Sequence, residues 1–195
     1  MKQPIYFAKG NPSVIIPTKR DEDVGYDIYA NFEEDYIVLE PHTVTLIPTN
    51  LHSAFSSDYG IILKERGSTG TKGMAVRSGV IDSGFRGAWF VPINNTTNSP
   101  IIIAKKEAIE GFKTIDRKYF DTIHFNFKVV VDKEGNEICS LPFNKKEVFI
   151  YPYEKAICQA VIIEVPSTVS EEISLEELIA IESERGTGER GSSNK

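Results

Sequence analysis

The 195-residue chain is poor in the groups that most often announce a function. Two cysteines, Cys139 and Cys158, are too few for a disulfide framework and lack the paired spacing of a zinc site. Three histidines, His42, His52 and His124, stand apart from one another and form no ligand motif. No run reaches the ~18 apolar residues of a membrane-spanning helix, and the opening "MKQPIYFAKGNPSVIIPTKR" lacks the unbroken apolar core of a secretion signal. A basic block is missing too, because 22 Lys and Arg are outnumbered by 28 Asp and Glu, for a net charge of −6. That balance argues against capture of long nucleic acid through its backbone and leaves a small ligand or a protein as partner. The expectation is a soluble, cytoplasmic protein with neither nucleic acid nor membrane as its target.

What is present is a succession of short β-branched and aromatic runs punctuated by Gly, Pro, Asn and Asp. They read "SVIIPT", "GYDIYA", "YIVLE", "TVTLIPTNLHSAF", "GIILKE", "GAWFVPIN", "PIIIA", "HFNFKVVV", "EICSLPF", "EVFIYPY" and "AICQAVIIEV". Such spacing predicts an all-β sandwich, jelly roll or barrel over residues 1–165. Residues 95–150 are too long for an ordinary connection and contain a hairpin pattern around "DKEGN", so they read as an inserted β subdomain. Residues 166–195 form an arm. Within it, "SLEELIAIESERG" carries a capping box, Ser174 with Glu177, and predicts a short helix at 175–183.

Three segments carry candidate chemistry. "VRSGVIDSGFRG" places one carboxylate, Asp82, between an apolar run and a glycine turn, a pattern shared by a catalytic base and by a plain strand-to-turn junction. "KERGSTGTKG" follows an apolar strand and joins Gly and Ser to Arg66, as a phosphate loop or a hairpin turn does; the Walker spacing is absent. The tail "RGTGERGSSNK" has the same composition and reads as a disordered polar end or as a phosphate clamp.

In order, "DVGYDIYA", "KERGSTG", "VRSGVIDSGFRG", "EKAICQAVII" and "RGTGERGSS" resemble the five motifs of the homotrimeric dUTP diphosphatases, the dUTPases. With an insert before the fourth motif, the chain is most similar to phage or prophage members, which places it in a host cytoplasm. The resemblance implies a distorted jelly roll of the β-clip type and a trimer whose sites form at interfaces, each closed by a neighbour's arm. The implied reaction turns dUTP and water into dUMP and pyrophosphate, with Mg2+ on the triphosphate.

Residue by residue, the resemblance makes Asp82 the general base that activates water and Asp27 the acid that holds Mg2+ through water. Arg66, Gly67, Ser68 and Gln159 hold phosphates from the body, while Arg185, Ser192 and Ser193 hold them from the arm. Val76 to Gly79 line the uracil pocket, and Phe85 stands where the family's aromatic stacks under deoxyribose. Arg190 replaces the arm's aromatic and offers a flat guanidinium to the base. There are further departures: Arg66-Gly67-Ser68 for Arg-Ser-Gly, Gly84 for an acid, and Glu154-Lys155-Ala156 for Gly-Asp-Arg. The related dCTP deaminases share the fold, and Gly84 and Asn95 fit their pattern, but Pro92 occupies the position of their catalytic Glu and cannot move a proton. Another alternative is a regulatory phage protein that binds a bacterial repressor through the insertion.

Overall fold

β-Branched and aromatic residues at alternate positions give most strands one inward and one outward face. The computed structural model describes residues 3–118, 126–141 and 148–183, and the chain divides into two units, Met1–Val165 and Pro166–Lys195. The first unit holds β1 (Tyr6–Lys9), β2 (Gly25–Ile28), β3 (Tyr36–Leu39), β4 (Val44–Pro48), β5 (Leu51–Ala54), β6 (Tyr59–Lys64), β7 (Met74–Val76) and β8 (Val80–Ile81). These are followed by β9 (Phe90–Asn95), β10 (Ile101–Ala104), β11 (Lys113–Lys118), β12 (Asn126–Val131), β13 (Glu137–Leu141), β14 (Phe149–Pro152) and β15 (Cys158–Glu164). Two one-turn helices, α1 (Gly67–Gly70) and α2 (Lys106–Ile109), interrupt them.

The body is an all-β jelly roll. Its sheets run β2-β15-β6-β8, β4-β9-β7, β14-β10-β3 and β1-β5. One continuous core joins them, with Ile28, Leu39, Ile47, Ile61, Trp89 and Ile103 fully or almost fully buried. Each such side chain contributes about 2 kcal/mol through its removal from water.

Strand β10 explains how the expected insertion at 95–150 is attached. Ile101 and Ile103 face the main core, whereas Ile102 and Ala104 face a second cluster with Val130 of β12 and Cys139 of β13. Because β10 pairs with β3 and β14 inside the body, residues 101–104 are part of the jelly roll, and the added meander is β11-β12-β13. Burial on both faces is what its unbroken "IIIA" pattern encodes.

"SVIIPT" is a correction: no strand forms there. Val14 and Pro17 are buried and Ile16 packs on the core, so the alternation reflects burial without a ladder, and Pro12 and Pro17 have no N–H to donate. In the second unit, α3 (Leu175–Ala180) begins where expected. Ser174 Oγ accepts the Glu177 N–H at 3.1 Å, and Glu177 Oε2 accepts the Ser174 N–H at 2.8 Å. It ends three residues before the expected Ser183, since Ile181 is already extended. Among the described residues no helix is long and apolar enough to cross a membrane.

Candidate active site

The register of one sheet assembles four motif residues at a common edge. Gln159 on β15 stands opposite Asp27 on β2 and Lys64 on β6, so these three form a row across the sheet. Just past β6, Arg66 turns back onto the row. Its Nε lies 2.9 Å from Asp27 Oδ1 and its Nη2 donates to Oδ2 at 3.2 Å, a bidentate pair that fixes the guanidinium plane. Gln159 Nε2 donates to the Glu65 carbonyl at 2.9 Å and anchors the chain just before Arg66.

The chain then closes into α1. The Arg66 N–H donates to Thr69 Oγ1 and the Thr69 N–H to the Arg66 carbonyl, both at 3.0 Å, and Thr69 is buried. This leaves Gly67 and Ser68 exposed in the first turn, where backbone N–H groups have no intrahelical acceptor. Asp27, Arg66, Gly67, Ser68 and Gln159 line a cleft of about 920 Å³ whose opposite wall is the turn from Thr18 to Gly25. That turn is held by Arg20 on Asp23, with Nη2 to Oδ1 at 2.9 Å, and by Lys19 Nζ donating to the Asp23 carbonyl at 2.8 Å. Asp23 to Gly25 open the first motif, but that Thr18 to Glu22 complete this wall is visible only once β2 is paired.

The third motif is laid along the same β6. Val76 donates its N–H to Glu65 Oε1 at 2.9 Å. Burial pushes the Glu65 carboxyl up, but N–H donors from Glu65 itself and Val76, with the Lys64 ammonium, outweigh it and hold its pKa below the ordinary value. Ser78 adopts φ 46°, and Gly79 comes so near β6 that a Cβ there would stand 2.7 Å from Leu63 Cβ. The Leu63 N–H donates to the Gly79 carbonyl at 2.6 Å. Glu65 was not among the sequence candidates; its role as the tie between second and third motifs has no sequence signature.

Asp82 lies at the other end. Ile81 pairs with Ile61, so Asp82 follows in line with Gly60, four residues before the Lys64 end of β6. At about 3.3 Å per residue that is about 13 Å, and Arg66 lies beyond. Asp82 is exposed, and the Phe85 N–H donates to its carbonyl at 3.0 Å, closing the turn. Phe85 is 42% exposed and therefore not a core residue; its ring lies against Gly87, where a Cβ would be 2.5 Å from a ring carbon. Neither Asp82 nor Phe85 lines the cleft, and Arg185, Arg190, Ser192 and Ser193 lie outside the described residues.

Among the described residues, no cluster of three or more His, Cys, Asp or Glu could hold a metal ion. Mg2+ instead keeps most of its water and binds through one or two carboxylates and substrate phosphates. Asp27, the carboxylate beside Arg66 and Ser68 in the cleft, fits that mode.

A jelly roll with guanidinium, hydroxyl, amide and carboxylate groups converging on one cleft suits a phosphorylated ligand. More specifically, residues 11–109 match the dUTPase family model, and the chain belongs to that family, the dUTP diphosphatases. The deoxyuridine 5'-triphosphate nucleotidohydrolase of Leptospira interrogans is 32% identical over 103 residues, 51% of this chain and 70% of the relative. The Pol polyprotein of caprine arthritis encephalitis virus is 27% identical over 115 residues, 59% of this chain and 10% of the polyprotein. In fold, the chain resembles the Staphylococcus bacteriophage 80alpha dUTPase with dUpNHpp over all of both chains, with TM-score 0.65 and 20% identity. The phage phi11 dUTPase of S. aureus, with its species-specific insert, aligns over 87% of this chain and 96% of its own, with TM-score 0.57 and 18% identity.

Proposed function

We propose that the chain hydrolyses dUTP to dUMP and pyrophosphate at sites shared between copies of a homotrimer. The observation that carries this reading is the separation of two half-sites along β6: Asp27, Arg66, Gly67, Ser68 and Gln159 at one end, Asp82 and Phe85 at the other. One chain cannot apply both to a single triphosphate, whereas a neighbour can complete each set. An outward apolar stripe supports the assembly. Val44, Leu46 and Phe90 are each about half exposed, and Leu46 pairs with Pro92 across β4 and β9.

Arg66 and Ser68, with the Gly67 and Ser68 N–H groups and Gln159, bind and orient the phosphates. Asp82 accepts a proton from water as its oxygen attacks the α-phosphorus, and the bond to the bridging oxygen breaks to release pyrophosphate. Asp27 would hold Mg2+ through water beside the phosphates, and the bound ion would supply positive charge to offset that of the leaving pyrophosphate. Val76 to Gly79 present a fixed backbone edge that selects uracil over cytosine, and the Phe85 ring supports deoxyribose while excluding a 2′-hydroxyl. From the arm, Arg185, Ser192 and Ser193 close over the phosphates, and Arg190 stacks on the base. The test is pyrophosphate release from dUTP, dCTP and UTP side by side, with and without Mg2+. Fast, Mg2+-dependent release from dUTP alone is expected; comparable turnover of dCTP, or none of dUTP, overturns the reading.

A second role draws on the meander β11-β12-β13, which packs through its own small core on the face of β10 away from the main core. The phage 80alpha dUTPases are described as controlling transfer of virulence genes by a proto-oncogenic G protein-like mechanism. By analogy, the meander would serve as a docking surface for a bacterial repressor, in addition to hydrolysis.

A further inference from the structure

We propose that Arg86 is a positioning residue: its guanidinium clamps the backbone of the turn at residues 82–85 to β5, and so aims Asp82 and Phe85 at the substrate. This rests on the dUTP-hydrolysis reading. Arg86 lies within the third motif but has no part in that reading.

The turn needs a clamp because no ladder holds it. Strand β8 ends at Ile81, and the backbone next bonds to the body where the Trp89 N–H donates to the Leu51 carbonyl at 2.8 Å. Between these points, among the described residues, the backbone bonds only to itself, through the Phe85 N–H and the Asp82 carbonyl at 3.0 Å. Packing does not fix the tip either, since a Cβ at Gly84 would meet nothing within 4 Å.

Arg86 supplies the missing tie. Its Nη1 donates to the Ser83 carbonyl at 2.6 Å, to the Phe85 carbonyl at 3.0 Å and to the Ser53 carbonyl of β5 at 3.4 Å. Two N–H groups on one nitrogen serve three acceptors, and the charge of the guanidinium strengthens each contact. Arg86 is itself exposed, so each bond competes with water, and the clamp works because one planar group holds all three. Among the described residues no carboxylate pairs with Arg86 to draw it away.

The Arg86 carbonyl is held in turn. It lies 2.9 Å from His52 Nδ1, and because a carbonyl only accepts, Nδ1 carries the proton. Side chain and main chain of Arg86 thus reach adjacent residues of β5, Ser53 and His52, and β5 is itself paired with β1. The Phe85 N–H and carbonyl are both engaged, while the Asp82 and Phe85 side chains stay exposed. A fixed backbone with open side chains is what a water-activating base and a sugar-supporting ring require, since a misplacement of about 1 Å costs on the order of a hundredfold in rate.

The test uses the full chain with Mg2+. Arg86→Met keeps an unbranched stem and removes every donor; Arg86→Lys returns three N–H donors on one nitrogen, matched to acceptors that one nitrogen now serves. For Arg86→Met, kcat for dUTP is expected to fall about tenfold or more, with a non-hydrolysable dUTP analogue bound within about threefold of the parent, because the cradle at the other end of β6 is untouched. The preference for dUTP over UTP, as a ratio of kcat/KM values, is expected to fall with it, and hydrogen–deuterium exchange at the Phe85 N–H to quicken. Arg86→Lys is expected to recover most of the lost kcat. A folded Arg86→Met chain with kcat within about twofold of the parent overturns the proposal, and so does unchanged exchange at Phe85. A parallel loss of kcat, analogue binding and thermal midpoint, without rescue by lysine, overturns it too and makes Arg86 a residue of general stability. Should the parent release no pyrophosphate from dUTP, the hydrolysis reading fails and the role of Asp82 with it, while the exchange measurement still decides whether Arg86 clamps the turn.

Discussion

The two ends of β6 are built in opposite ways. At the Lys64 end three side chains are tied down: Arg66 to Asp27, Gln159 to the Glu65 carbonyl, Glu65 to the Val76 N–H. At the Gly60 end Asp82 is exposed and Phe85 lies open on Gly87. The difference teaches that the preorganised part of the proposed site is its phosphate cradle, where several donors must be aimed at once. In the proposed trimer a single water and a sugar face need only one carboxylate and one ring, and those would gain their partners from a neighbouring copy.

The strongest way to break this comparison is to damage each end in a separate chain. Asp82→Asn keeps the shape and removes the proton acceptor, so turnover is expected to fall by about a hundredfold or more while a non-hydrolysable dUTP analogue still binds. Arg66→Ala is expected to lose both binding and turnover, since it removes the fork and leaves Asp27 unpaired in the cleft. Mixed after subunit exchange, the two inactive chains are expected to regain activity, because about a quarter of interfaces then pair an intact Asp82 with an intact Arg66. Verified exchange without recovery would show that each chain completes its own site.

A smaller effect is expected at Phe85. Its exposure predicts that Phe85→Ala leaves stability within about 0.5 kcal/mol of the parent, as for other surface positions. Discrimination between dUTP and UTP, read as the ratio of kcat/KM values, is expected to fall about tenfold as the ring that excludes a 2′-hydroxyl is lost. A large drop in the unfolding midpoint with unchanged discrimination would instead make Phe85 a packing residue.

Much of the fold was legible because short β-branched runs such as "YIVLE" and "GIILKE", bounded by turn residues, encode a buried or half-buried strand directly. It failed where burial and pairing part company. "SVIIPT" is buried without a ladder, while β7, β8 and the charged β11, "KTIDRK", pair without a clear apolar pattern. The long run "TVTLIPTNLHSAF" splits into β4 and β5 because Asn50 adopts φ 49°, a left-handed conformation that interrupts the strand. Of the site, the cradle residues Asp27, Arg66, Ser68 and Gln159 were legible as motif residues, and the structure brings them to one cleft. Glu65 was not: its tie to the Val76 N–H depends on how the third motif lies along β6, and no spacing along the chain records that.

The mildest perturbation concerns the tie between the cradle and the hairpin. The Glu65 carboxylate accepts the Val76 N–H, and its folded pKa lies below the ordinary 4.5 despite the opposing effect of burial. A carboxyl with a lowered folded pKa stabilises the fold fully above its unfolded pKa, and that contribution is lost as pH falls through the folded value. Glu65→Gln retains an oxygen acceptor for Val76 but not the charge, so at pH 7 it is expected to cost only about 0.5–1 kcal/mol, discounted for partial exposure. Unfolding midpoints in urea at pH 7, 5 and 3.5 check the sign: the gap between parent and variant should be present at the two higher values and shrink at the lowest, where the parent's carboxyl takes up its proton. A gap that widens on acidification would mean that Glu65 is held by burial rather than by its donors. The hairpin would then owe its position to the close backbone contact of Gly79 with Leu63 alone.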